Sequence, residues 1–126
     1  TAVNKEYGVS AGDAVLRHVA GAVDRTRRLN DVVARLGGDE FGVLLVDCDE
    51  IGAKAFIDRL EDRLSRESAQ ADVDGRAISL WAGICTGTST SSPQTADAEA
   101  VLELAIESLN QAKSDRERRR RLWLSA

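Results

Sequence analysis

The sequence is poor in the features that would set it apart from ordinary globular domains. It has one proline and two cysteines among 126 residues, and no apolar run approaches the roughly 18 residues that a membrane span requires. With 43% hydrophobic and 30% charged residues, the chain can bury a modest core, which argues against disorder and against a fibrous repeat. The length allows one domain, residues 1–126, and no linker divides it.

The two cysteines and the N-terminus exclude further classes. Cys48 and Cys85 are 37 positions apart with no second cysteine near either, so neither a zinc site nor a disulfide framework is predicted. We favour two buried, reduced cysteines in a cytoplasmic protein. The first residues carry no signal-peptide pattern and no initiating Met, so we expect the chain to begin inside a longer protein.

Charge is divided unevenly along the chain. The net charge is −4, but residues 116–121 contain five arginines, which leaves the first 115 residues clearly acidic. An acidic body with a basic tail is not the basic face of a nucleic-acid-binding domain. The tail itself has two interpretations, a basic helix end or a patch for nucleic acid or membrane. We predict no nucleic-acid partner, and membrane attachment only through domains outside this chain.

Amphipathic segments alternate with β-prone ones. Helices are predicted over residues 13–29, 51–66 and 97–113, the first of them starting at Gly12-Asp13. Strands are predicted over residues 32–35, 41–46 and 77–86, with loops at 67–75 and 87–95 and a possible short strand at 122–124. The nearly continuous apolar run of residues 41–46 indicates a strand covered on both faces. The order predicts an α/β (α+β) domain, with helices packed on a mixed sheet.

The predicted apolar face of the second helix consists of five residues, Ile51, Ala55, Phe56, Leu60 and Leu64.

The segment between the first two strands is the one that most needs a chemical explanation. Gly37 and Gly38 have no side chains, so a polyanion could approach their backbone N–H groups. Asp39 and Glu40 follow at once and offer the hard oxygen ligands that Mg²⁺ prefers when it bridges protein and nucleotide phosphates. A solvated hairpin turn explains the same composition, so these residues alone do not distinguish a phosphate- and metal-binding loop from an ordinary turn.

The whole string Gly37-Gly38-Asp39-Glu40-Phe41 is the signature of the GGDEF family, the diguanylate cyclases, and the chain resembles that family over nearly its full length. Upstream, residues 4–13 are similar to the family segment N-D-x-x-G-H-x-x-G-D. The resemblance implies that Asn4 and Asp13 hold the guanine base, a role that an amide and a carboxylate can fill. Gly12-Asp13 also reads as a helix cap, and both roles can hold together.

Two further motifs match the family. Ala112-Lys113 looks like its A-K pair, whose lysine contacts the triphosphate, although an isolated lysine there would also suit a helix C-terminus. Arg28-Leu29-Asn30-Asp31 looks like the R-x-x-D motif that binds the product, cyclic di-GMP, with Arg59 well placed as a third contact. The alternative is an exposed ion pair between Arg28 and Asp31, worth under about 1 kcal/mol.

The resemblance also implies an architecture and a reaction. The family has the palm-like nucleotidyl-cyclase fold, a central, mostly antiparallel mixed sheet flanked by helices, and its first strand carries a metal-binding Asp. This chain begins just after that strand, so we expect its first central strand to be absent. Asp39 and Glu40 would hold Mg²⁺ (or Mn²⁺), and two domains, each with GTP, would form a homodimer that produces cyclic di-GMP and two pyrophosphates.

Some positions depart from the family pattern. Val9 stands in place of a His, Trp81 in place of a Ser, and Glu117 in place of an Arg, whereas Asp39 and Glu40 are intact. These departures leave a second hypothesis open, a catalytically degenerate module that binds GTP or cyclic di-GMP and regulates an attached domain.

Overall fold

A computed structural model of the chain describes residues 8–92 and 97–125. In chain order the elements are α1 (Val9–Thr26), β1 (Val32–Arg35), β2 (Phe41–Leu44), α2 (Glu50–Arg66), β3 (Ala69–Val73), β4 (Arg76–Leu80) and α3 (Ala98–Ser125). They belong to two compact units. The first unit comprises the described residues up to Cys48 together with Lys54–Gly83, and the second comprises Asp49–Ala53 and the described residues from Ile84 onward.

Helices and antiparallel strands confirm the predicted fold class. Within residues 8–92 and 97–125, however, the strands form two separate two-stranded sheets, β1 with β2 and β3 with β4. The single central sheet expected from the family pattern is therefore seen here as two hairpins.

Helix α1 begins four residues earlier than predicted. Gly8, with φ of 90°, precedes Val9 at its start, so Gly12 and Asp13 lie within the helix and do not cap it. Ala11, Val19 and Val23 are buried on one face, as the periodicity indicates, while Asp13 is exposed. The start was misplaced because Gly-Asp is a typical capping pair even where helix already precedes it.

The β1–β2 hairpin is confirmed, with Val32 opposite Leu44 and Arg35 opposite Phe41. The prediction that its second strand is covered on both faces is wrong. The cross-strand pair Val32 and Leu44 is 57% and 61% exposed, and β2 ends at Leu44 rather than at residue 46. A continuous apolar run shows that a strand can be covered, but it does not supply the covering layer.

A second hairpin, β3–β4, occupies a segment predicted to be mostly loop. Ala69 and Ala71 are buried and alternate with exposed Gln70 and Asp72, the period-two pattern of a half-buried strand. Asp74 and Gly75 form the two-residue connection, and both have positive φ, 53° and 79°. That is a type I′ turn, for which Asp-Gly is a preferred sequence. β4 ends at Leu80, so the strand predicted over residues 77–86 is shorter than expected.

The core of the first unit lies between α1 and the second hairpin. Helix α1 packs on β3, and a cluster of buried apolar side chains joins them: Ala11, Ala69, Ala71 and Leu80. On α2 the buried residues are Phe56, Leu60 and Leu64, three of the five predicted, whereas Ile51 is 80% exposed. His18 Nε2 lies 2.9 Å from the carbonyl oxygen of Glu67, which links α1 to the end of α2.

Helix α3 dominates the second unit and extends well past its predicted end at Lys113. It continues to Ser125, so the short strand suggested at residues 122–124 is wrong. The preceding segment packs against this helix: the backbone of Gly87 lies directly on Ala105 and Leu109, and the Ser89 hydroxyl donates to the Val101 carbonyl. In the described part of the chain, no helix is both long and apolar enough to cross a membrane.

Candidate functional site

The signature residues form a five-residue loop at the tip of the β1–β2 hairpin. Arg35 and Phe41 are the last paired residues, and residues 36–40 connect them. The carbonyl oxygen of Glu40 accepts hydrogen bonds from the N–H groups of Leu36 (2.8 Å) and Gly37 (3.4 Å), which closes the loop. The predicted site therefore lies on a defined turn, held by backbone hydrogen bonds at its base.

The Arg35 side chain reaches over this loop. Its Nε donates to the carbonyl oxygen of Gly37 (3.2 Å), and its terminal Nη2 donates to that of Gly38. No motif in the sequence assigns a role to Arg35. The only indication in the sequence is that an arginine, a long side chain with a planar group of donors, is the last residue of a strand and lies two positions before a glycine pair. Hydrophobic periodicity does not reveal such a pattern.

Gly37 and Gly38 are not required by the fold of the chain itself. Neither has a positive φ, and a Cβ added at either position would meet nothing within 4 Å. An alanine would therefore fit the unliganded turn at both places. The space that these glycines leave open is accessible from solvent and has the form needed for a ligand to approach the backbone closely.

Two adjacent carboxylates follow the glycines. Asp39 is exposed and makes no hydrogen bond or ion pair with any described residue, whereas Glu40 is half-buried. Within residues 8–92 and 97–125, no group of three or more His, Cys, Asp or Glu side chains converges. Mg²⁺ commonly takes one or two carboxylates together with substrate phosphates and water. Asp39 and Glu40 fit that kind of shared site and not an all-protein metal cage.

The other predicted substrate residues are placed as follows. Asp13 is exposed on α1 in the first unit, and Lys113 is half-buried on α3 in the second unit. Asn4 lies outside the described residues. The structure thus brings Gly37, Gly38, Asp39 and Glu40 together on one loop, and the roles of the remaining three stay predictions.

The R-x-x-D motif lies where α1 ends and β1 begins. Asp31 has a side chain only 2% exposed, and its carboxylate accepts hydrogen bonds from the N–H groups of Arg28 (2.9 Å) and Val46 (3.1 Å). Arg28 Nε is 3.6 Å from the same carboxylate, and Arg28 Nη2 donates to the Val46 carbonyl oxygen at 2.8 Å. The ion pair of the alternative is present, but it is not an exposed one, because Asp31 is buried and ties the end of α1 to the segment after β2.

These contacts set the ionisation of Asp31. The hydrogen bond from the Arg28 N–H, followed by that from Val46 and the nearby Arg28 charge, holds the pKa of the Asp31 carboxyl below its usual value, although desolvation acts in the opposite direction. Arg28 itself is 58% exposed, and Arg59 is exposed on α2. The two arginines are therefore accessible to a ligand, while Asp31 is buried and already accepts hydrogen bonds from the chain itself.

Comparison with known proteins gives consistent relatives. Residues 1–119 match the family described as diguanylate cyclase, GGDEF domain. The probable diguanylate cyclase DgcT of Escherichia coli is 32% identical over 88% of this chain and 24% of its own length. Diguanylate cyclase A of Treponema denticola is 33% identical over 90% of this chain and 29% of its own. The chain thus spans about a quarter of the length of these relatives.

A solved structure supports the same assignment. The GGDEF domain of TpbB, or YfiN, from Pseudomonas aeruginosa superposes with a TM-score of 0.67 at 31% identity, over 90% of this chain and 64% of that one. The family match and the sequence relatives each cover most of the residues described above, including the glycine turn. The chain therefore belongs to the GGDEF domain family of the diguanylate cyclases.

Proposed function

We propose that this chain is the catalytic domain of a diguanylate cyclase, which condenses two GTP molecules into cyclic di-GMP and two pyrophosphates. The observation that carries the proposal is the glycine turn. Gly37 and Gly38 are dispensable for the fold, yet they open a side-chain-free surface directly beside an exposed carboxylate, Asp39. A surface of this kind suits a nucleotide phosphate.

The residues of the turn have separate roles in phosphate binding, metal binding and proton transfer. The backbone at Gly37 and Gly38 receives the phosphates, and the carboxylates of Asp39 and Glu40 would hold Mg²⁺ (or Mn²⁺). The metal supplies charge neutralisation for the phosphates. Asp39, being exposed, accepts the proton of the attacking 3′-hydroxyl. The 3′-oxygen then forms a bond to the α-phosphorus of the other GTP as the bond to pyrophosphate breaks, a step that depends mainly on positioning.

The remaining assignments belong to the same proposal. Asn4 and Asp13 select guanine by hydrogen bonds to its edge, and Lys113 contributes positive charge to the triphosphate. Because each GTP supplies a nucleophile to the other, two domains act as a homodimer. Because GTP is a cytoplasmic nucleotide, we expect the domain to act in the cytoplasm, either free or as the cytoplasmic domain of a membrane-anchored protein.

Product inhibition is proposed for the R-x-x-D site. Arg28 and Arg59 are exposed and would bind cyclic di-GMP through its phosphates and guanine edges. Asp31 is only 2% exposed in the unliganded chain, so a direct contact with guanine requires the neighbouring residues to move aside.

The test is product formation by the full-length protein. We expect incubation with GTP and Mg²⁺ to yield cyclic di-GMP, detected by liquid chromatography and mass spectrometry. The Asp39→Ala variant should fold normally, because this side chain is exposed, but lose at least about 100-fold in turnover. Replacing the exposed Asp74 of the other hairpin by asparagine provides a matched control that retains activity. Normal product formation by a folded Asp39→Ala protein would refute the assignment.

The second candidate is a degenerate module that binds GTP or cyclic di-GMP without turnover. Trp81, exposed where the family has a serine, is the departure that favours it. This module would bind GTP in the same assay and give no cyclic product.

A further inference from the structure

Arg35 holds the glycine turn from one side. Its guanidinium donates two hydrogen bonds, from Nε to the Gly37 carbonyl and from Nη2 to the Gly38 carbonyl. A guanidinium is a rigid, planar fork, so two bonds from one group fix the orientation of both acceptors. The two carbonyl oxygens therefore point toward the same side of the loop.

The planar peptide bond carries this orientation to the other side. In a trans peptide, the C=O of one residue and the N–H of the next point in opposite directions. The Gly37 carbonyl is paired in this way with the Gly38 N–H, and the Gly38 carbonyl with the Asp39 N–H. Arg35 thus turns two consecutive N–H groups away from itself.

Those two N–H groups are the ones that the loop leaves unused. The N–H groups of Leu36 and Gly37 donate to the Glu40 carbonyl, whereas those of Gly38 and Asp39 have no hydrogen-bond partner among the residues the structure describes. Gly37 and Gly38 have no side chains that could cover these two N–H groups, and a Cβ added at either glycine would meet no atom within 4 Å. Two adjacent N–H donors on an uncovered turn can donate to one anion.

We propose that Arg35 is a positioning residue, whose fork onto the Gly37 and Gly38 carbonyls aims the N–H groups of Gly38 and Asp39 at a phosphate oxygen of the substrate. This inference rests on the proposed function for the identity of that phosphate. Hydrogen bonding to a cation also polarises each peptide group, which strengthens its N–H as a donor. Arg35 acts on the substrate through the backbone and without contact of its own.

The two hydrogen bonds from one guanidinium explain why lysine would be a poor replacement for Arg35. A lysine at position 35 would keep the charge, but as a point donor it would not hold two carbonyls in a fixed relative orientation. If Arg35 supplied only long-range charge, Arg35→Lys would retain function. Arg35→Lys therefore separates the two roles. Arg76 serves as the matched control, because it is exposed at the start of β4 beside the other hairpin turn.

The experiment uses the full-length protein labelled with ¹⁵N-glycine and titrated with pyrophosphate and Mg²⁺. In the wild type, we expect the Gly38 amide signal to move on titration and that of Gly75 to stay in place. Arg35→Lys should shift the Gly38 signal before any ligand is added and weaken pyrophosphate binding about 10-fold or more, with a loss of roughly 10- to 100-fold in kcat/KM for cyclic di-GMP formation. Arg76→Lys should change none of these.

The outcomes are distinguishable from a failure of the proposed function. If the protein makes no cyclic di-GMP but the amide signals and pyrophosphate affinity respond as described, the cyclase assignment fails and the role of Arg35 stands. Unchanged pyrophosphate affinity in Arg35→Lys overturns the inference whatever the activity. So does a wild-type Gly38 amide that does not respond to pyrophosphate, a measurement that needs no variant.

Discussion

Replacing Gly38 by alanine adds one methyl group to the open side of the glycine turn, and its effects on stability and on activity should have opposite signs. The added Cβ meets no atom within 4 Å, and Gly38 does not have a positive φ. Alanine also restricts the unfolded chain more than glycine does. The variant should therefore be as stable as the wild type or more stable, by up to about 1 kcal/mol.

The same substitution in the second hairpin supplies the contrast. Gly75 has φ of 79°, a conformation that costs an L-residue about 1–2 kcal/mol. For a domain of this size about 1 kcal/mol corresponds to roughly 3–5 °C in melting temperature. Gly75→Ala should thus melt about 3–10 °C below the wild type, while Gly38→Ala melts at the same temperature or up to about 5 °C above it.

Activity should show the reverse order. The methyl group at position 38 occupies the space into which a phosphate would move, and a displacement of about 1 Å at a reacting centre can cost about 100-fold in rate. We expect Gly38→Ala to lose at least that factor in cyclic di-GMP formation and Gly75→Ala to keep wild-type turnover when assayed below its melting temperature. Thermal melts and product quantification on the same preparations provide both numbers. A Gly38→Ala protein that is destabilised and active would refute the reasoning.

Two further predictions concern Asp31 and helix α2. Asp31→Asn removes a carboxylate whose pKa is lowered in the folded state, so the wild type should hold an advantage in melting temperature at neutral pH. That advantage should shrink as the pH falls below about 4, where the carboxyl of the unfolded chain takes up a proton, and be lost as the pH falls through the lower pKa of the folded carboxyl. A gap that stays constant from pH 7 to pH 3 would contradict the assignment of that advantage to ionised Asp31. Leu64→Ala, at the best-buried large side chain of α2, should lower the free energy of unfolding by about 2–5 kcal/mol in urea titrations, whereas Ile51→Ala on the exposed start of the same helix should change it by less than about 0.5 kcal/mol. Equal losses in the free energy of unfolding for the two variants would show that burial of the side chain does not determine how much the substitution destabilises the protein.

Local patterns predicted the parts of the fold that depend on neighbouring residues. The first hairpin and α2 were recognised because a glycine pair separates two β-prone runs and because apolar residues recur at helical spacing. β3 was missed although its signals are present: buried and exposed residues alternate from Ala69 to Val73, and Asp74-Gly75 is a preferred type I′ turn. Its alanines and polar residues have low strand propensity, which masked the alternation.

The site was predictable to the extent that it is local. Gly37, Gly38, Asp39 and Glu40 are consecutive, so any turn at this point brings them together. The contact between Asp31 and the Val46 N–H joins residues 15 positions apart, and the burial that results is set by how α1 ends against the hairpin. The role of Arg35 depends on which way two peptide planes face. Neither the contact of Asp31 nor the orientation of these peptide planes produces a periodic pattern in the sequence.

The first hairpin is held at both ends by polar contacts and has little apolar cover. Asp31 binds the segment just after β2 and Arg35 binds the glycine turn, while the strand pair next to Asp31, Val32 and Leu44, is largely open to water. A two-stranded ribbon with so little apolar cover contributes little to global stability and opens locally at low free-energy cost. The turn that would receive the nucleotide therefore lies on an element that opens locally at low free-energy cost, and a bound phosphate would stabilise its closed conformation.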